Sequence, residues 1–90
     1  MTTTIHELKC EAEYWDAVFK GDKTFEVRKS DRLFQVGDLL SLRRIRNGET
    51  SGFPTGFGSL THIMCRITYV LPGGSYGIDP DYVVLGLRRL

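Results

Sequence analysis

One stretch of this 90-residue chain has the period of a helix, and nearly everything after it alternates. In Glu11 to Gly21, "EAEYWDAVFKG", the residues Tyr14, Trp15, Val18 and Phe19 fall at offsets zero, one, four and five. That spacing puts them on one apolar stripe. Glu11, Glu13 and Asp16 load the N-terminal part with acid, Lys20 stands near the end, and Gly21 offers a natural C-cap. Thr4 to Cys10 before it reads as a first strand. Thr24 to Lys29, Leu39 to Ile45 after a Gly37-Asp38 turn, Thr61 to Leu71, and the closing run Asp81 to Leu90 read as the others. One helix and about five strands in so short a chain predict an α+β, mainly β fold. The expected form is a single domain over residues 1–90, a small barrel or strongly curled sheet with the helix packed at its side. Closure would remove the exposed edges of so small a sheet.

The core side of each strand is readable in places. Leu40 and Leu42 share one face, as do Ile63, Cys65, Ile67 and Tyr69. Trp15, on the helical stripe, is expected in the core. Cys10 and Cys65 are too few for a disulfide framework and are expected as buried free thiols. Two loops are rich in glycine. The longer, Asn47 to Ser59, reads either as an aromatic lid built on Phe53 and Phe57 or as a flexible tip with a phenylalanine tucked into the core.

Charge and hydropathy exclude some functions. A net charge of +1 rules out a strongly basic, histone-like binder but not a local basic patch. No run approaches the ~18 apolar residues of a membrane span, and the start "MTTTIHELKC" lacks a signal-peptide pattern. A cytoplasmic monomer without membrane contact is expected.

The charges concentrate in "GDKTFEVRKSDR", Gly21 to Arg32. On a strand, Phe25 and Val27 point one way and Thr24, Glu26 and Arg28 the other, with Lys23 just before them. The row is either a solvated face or the wall of a binding cleft. Spacing alone leaves both open: a lysine and an arginine can hold a phosphate or a base edge and a carboxylate can accept from a base amino group, yet an exposed pair two residues apart can equally be mere neighbours. Arg43 and Arg44 fall on opposite faces of one strand. With Arg46, Arg66, Arg88 and Arg89 they read as a solvated exterior. His6/Cys10 and His62/Cys65 are poor metal pairs, because 62 and 65 face opposite ways and 6 and 10 lie ~13 Å apart along a strand. No nucleophile elbow, Walker loop or dinucleotide fingerprint is present. No metal or cofactor is expected.

These residues resemble a family. "HELKC…YWDAVFKGDKTFEVRKSDRLFQVGDLLSL" is similar to the start of a small ASCH-superfamily domain of the short type described as a domain of unknown function. Gly21, Lys23, Glu26 and Arg28 match its G-x-K-x-x-E-x-R signature, and Phe34, Val36, Gly37 and Asp38 its F-x-V-G-D turn. The resemblance spans almost the whole chain, leaving out Asn47 to Ser59. It implies a PUA-like β-barrel with a cleft beside the helix. Lys23, Thr24, Glu26, Arg28 and Lys9 would face an RNA or a modified nucleotide there.

Three functions follow as expectations. The first is an RNA- or modified-nucleotide-binding module. The second is a small hydrolase, since some relatives of this resemblance are amidohydrolases that deacetylate N4-acetylcytidine. Their threonine nucleophile position is occupied here by Glu26, and Thr24 is ~7 Å away along the strand. Lys23 and Glu26 would then be catalytic, glutamate as a general base and lysine polarising a carbonyl. The third is a protein-interaction domain, of the kind a mobile element encodes, in which the cleft is vestigial.

Overall fold

The computed structural model describes residues 2–90. β1 (Ile5–Glu11) runs directly into α1 (Ala12–Lys20), which leads to β2 (Phe25–Lys29) and β3 (Leu39–Arg46). The short strands β4 (Glu49–Thr50), β5 (Phe53–Thr55) and β6 (Gly58–Leu60) precede the long strands β7 (His62–Pro72) and β8 (Tyr82–Arg89). The main sheet has the order β1-β3-β7-β8-β2, with β4 added to β3 and β5–β6 a separate hairpin. β1 and β3 are parallel, while the other neighbours in that order are antiparallel. A parallel pair needs a crossover, and here α1 and β2 make it.

The fold is the mainly β, one-helix architecture expected, curled into a half-barrel. Leu40, Leu42, Cys65, Ile67 and Leu85 are fully buried on the concave side, joined from α1 by Trp15 and Val18. Trp15 carries a polar atom into this core and satisfies it, its indole N–H donating to the Leu42 carbonyl at 2.9 Å. Both cysteines are buried and free. Tyr14 departs from the predicted stripe and is half exposed. In so short a helix the core accepts only the arc centred on Trp15 and Val18.

Tyr69 also departs from its predicted face. The β7–β8 register shifts between Ile67 and Tyr69, so that one extra residue enters β7 and Tyr69 emerges 64% exposed. Gly86 lies opposite the bulge, where an added Cβ would come 3.1 Å from the Thr68 hydroxyl and 3.3 Å from Cβ of Tyr69.

The glycine-rich loop is largely structured. Phe53 packs on Phe19 and Trp15, with ring centroids 4.9 and 5.9 Å apart, while Phe57 stands fully exposed on the hairpin. The tucked phenylalanine is therefore Phe53. Arg44 corrects the reading of a solvated arginine exterior: it is buried, with Nε and Nη2 donating to the two Asp16 carboxylate oxygens at 2.7 and 3.2 Å. Its Nη1 reaches the Ser51 and Gly52 carbonyls and the Ser51 hydroxyl. One guanidinium thus ties β3 to the helix and to the link that enters the hairpin, which a charge-by-charge reading of the strand could not show.

Among the described residues, no helix is long and apolar enough to cross a membrane.

Candidate functional site: the open seam between the two edge strands

The sheet order begins with β1 and ends with β2, so the curl leaves these two strands facing each other across an open seam. Side chains bridge it. Arg28 on β2 donates from Nη2 to the Lys9 carbonyl of β1 at 2.7 Å, and Cys10 Sγ lies 4.0 Å from Glu26 Oε1.

Backbone geometry fixes which peptide groups face the seam. The Leu87 N–H donates to the Thr24 carbonyl and the Ser30 N–H to the Asp81 carbonyl, so even-numbered positions of β2 sit in the hydrogen-bonded pairs with β8. The peptide groups of Phe25, Val27 and Lys29 then turn toward the seam. On the opposite wall the Lys9 carbonyl does the same.

α1 delivers the first cation. Gly21 ends the helix in the left-handed region at φ 84°, and the N–H groups of Asp22 and Lys23 fold back onto the Ala17 carbonyl at 2.9 and 3.1 Å. This turn sets Lys23 at the rim just before β2. Alternation along β2 then decides the rest, in an unusual sense: Glu26 is buried at 3% exposure, while Phe25 and Val27 are 44% and 51% exposed. The charged row faces inward and the apolar row outward.

A carboxylate this deep must be paired and hydrogen-bonded. Lys23 Nζ contacts Glu26 Oε1 at 2.6 Å, and Arg28 contacts Glu26 Oε2 through Nε at 2.9 Å and Nη2 at 2.8 Å. The Lys23 ammonium also lies over the rings of Phe25 and Tyr14, at 5.0 and 5.5 Å from their centroids. Around this row opens a cleft of about 510 Å³, walled by Lys9, Cys10, Tyr14, Phe25, Val27 and the row itself. Its lining carries three cations, Lys9, Lys23 and Arg28, against the carboxylates of Glu11 and Glu26.

Four of the five predicted site residues, Lys9, Lys23, Glu26 and Arg28, meet here. Thr24 does not line the cleft; it is exposed, and its carbonyl is engaged by β8. Sequence reasoning missed Cys10 as a wall, and Phe25 and Val27 as apolar rim. A two-residue period shows that they share a side but not which side is solvent. Cys10 is chemically quiet: burial, and then the Glu26 charge, push its thiol up to about 12.

The histidine of β1 serves structure. His6 Nε2 lies 2.9 Å from Asp38 Oδ2, and both residues are buried. Burial pushes the Asp38 carboxyl up, but His6 and the Gln35 N–H outweigh it and hold the group below its ordinary range. Among the described residues, no three His, Cys, Asp or Glu side chains gather as a metal site would require.

The fold and the seam define a class: a small, mainly β half-barrel with one helix and a charged cleft where the sheet fails to close. The chain belongs to the family described as a domain of unknown function, DUF3850, which matches residues 5–87. It is also similar to an uncharacterized 12.9 kDa protein in the GpA 3′ region of Escherichia phage P2, with 42% identity over 52 residues. That alignment takes in 58% of this chain and 48% of the phage protein, so the chain spans about half the length of its curated relative.

Proposed function

We propose that this domain is a binding module for RNA or a modified nucleotide, built on an ASCH-type, PUA-like half-barrel. The observation that carries the reading is the seam cleft: about 510 Å³, with a buried carboxylate between two cations and aromatic rings beneath one of them. A volume of this order suits a small organic ligand. Of the two cations that hold Glu26, Lys23 is the better placed to meet a phosphate, since its ammonium makes one ion pair while Arg28 is also committed to the Lys9 carbonyl. Tyr14 and Phe25 offer faces for a base to stack on. Glu26, held in place from both sides, presents an acceptor for a base amino group.

Hydrolysis is the weaker reading. A nucleophile must lie within hydrogen-bond reach of its activating base, and Thr24, the threonine nearest the family's nucleophile position, does not line the cleft.

The test is fluorescence anisotropy of a short labelled RNA titrated with wild type and Lys23→Ala at two salt concentrations. Binding that weakens with salt and falls about tenfold or more in the variant is expected. Equal binding by both proteins, or none, would reject the cleft as the site. A Glu26→Gln variant that still binds but abolishes turnover of a modified nucleoside would restore the hydrolase reading.

A further inference from the structure

The seam does not end at Arg28. Beyond the Arg28–Lys9 bridge a second cavity of about 320 Å³ continues along β2, and it shares both Lys9 and Arg28 with the first. Its far walls are Lys29, Asp31, Arg32 and Phe34, with Glu7 on β1. The two cavities are thus compartments of one groove, and Arg28 is the strap between them. At about 3.4 Å per residue, the stretch from Phe25 to Lys29 alone covers about 14 Å.

We propose that the groove takes an extended single-stranded oligonucleotide. One nucleotide sits in the Lys23–Glu26 compartment and the next passes over the Arg28 strap into the compartment of Lys9, Lys29 and Arg32. This deepens the binding reading above and rests on it. Arg32 supplies the second platform: its guanidinium lies over the Phe34 ring, 5.9 Å from the centroid, and guanidinium planes stack on bases as aromatic rings do. The acids do not block the path. Asp31 pairs with Arg32 at 3.4 Å with both side chains largely exposed, a contact a phosphate can displace at little cost. Glu7, exposed on the β1 wall beside Lys9, is outnumbered there by Lys9, Lys29 and Arg32. Arg28 itself is a positioning residue, because its Nε and Nη2 are committed to Glu26 and to the Lys9 carbonyl.

The experiment compares two probes, a mixed-sequence hexanucleotide RNA and an equimolar mixture of the four 5′-mononucleotides, against wild type and a Lys29→Ala/Arg32→Ala double variant. Both substituted side chains are exposed, and retained mononucleotide binding reports that the variant is folded. The expected result is hexanucleotide binding at least tenfold tighter than mononucleotide binding. The double variant should lose that advantage while binding mononucleotides as before. Loss of the Lys29 phosphate contact should also lower the salt slope for the hexanucleotide by about 0.7. Equal affinity for the two probes, an unaffected hexanucleotide, or equal weakening of both probes in the variant would overturn the extended groove and leave the single-nucleotide cleft standing. Binding of neither probe would overturn both.

Discussion

Cys10 sits in the wall of the cleft, where a reactive thiol would be a natural suspect for chemistry, and its surroundings make it inert. The thiolate is the reactive form, and burial with the Glu26 charge raises the Cys10 thiol to about 12, while burial raises Cys65 to about 11. Native protein at pH 8 is therefore expected to resist iodoacetamide over a time in which denatured protein is fully alkylated at both sites. Stoichiometric labelling of the native state would contradict this. The same shifts set an alkaline limit to stability. Both folded thiols keep protons that the unfolded chain releases from about pH 9 upward, so their contribution is complete below that pH. It is lost as pH rises toward 11 and 12. The loss is at most about 1.4 kcal/mol per thiol per pH unit. Cys10→Ala should flatten the decline of the denaturant midpoint between pH 9 and 11.

β2 is the element whose reading depended most on its neighbours. Its alternation was legible, and so was the grouping of Glu26 with Arg28, but the side facing the interior was not. Strand propensity would bury Phe25 and Val27. The turn at Gly21 and the pairing with β8 bury Glu26 instead, because the carboxylate there meets two cations, one from the turn after α1 and one from β2 itself. Two substitutions separate the alternatives. Val27→Thr, on the exposed row, is expected to change unfolding free energy by no more than about 0.5 kcal/mol. Glu26→Val, which looks more strand-like, should cost about 1–3 kcal/mol by leaving Lys23 and Arg28 without their partner. Chemical denaturation of the two variants measures both, and the reverse order would mean that the row is solvated after all.

At the scale of the whole molecule, a few polar contacts hold together parts that apolar packing alone would leave loose. Arg44 joins β3, α1 and the segment leading into the β5–β6 hairpin through Asp16, Ser51 and Gly52. Arg44→Ala should therefore destabilise by about 3 kcal/mol and raise amide exchange in the hairpin, whereas truncating the exposed Arg46 should do neither. The hydrogen bonds from Arg44 hold Asp16 below the usual carboxylate range, and Asp38 is likewise low through His6 and Gln35. Depressed carboxyls stabilise above the unfolded pKa near 4 and lose that contribution as pH falls through their folded values. The denaturant midpoint should thus decline below about pH 4. Asp16→Asn should start lower and decline less.

Local pattern determined the helix and its cap at Gly21, the buried leucines of β3, the core role of Trp15, and the membership of Lys23, Glu26 and Arg28 in one row. Each rests on periodicities of 3.6 or 2.0 within a few residues. The inward turn of that row, the bulge that expels Tyr69, the burial of Arg44 and the open seam with its two compartments were decided only by the tertiary structure. Each depends on contacts between segments far apart in the chain: β8 for β2 and for the bulge in β7, Asp16 for Arg44, and the Lys9 carbonyl for Arg28. A period shows that two side chains share a face; what lies opposite that face is a property of the assembled sheet.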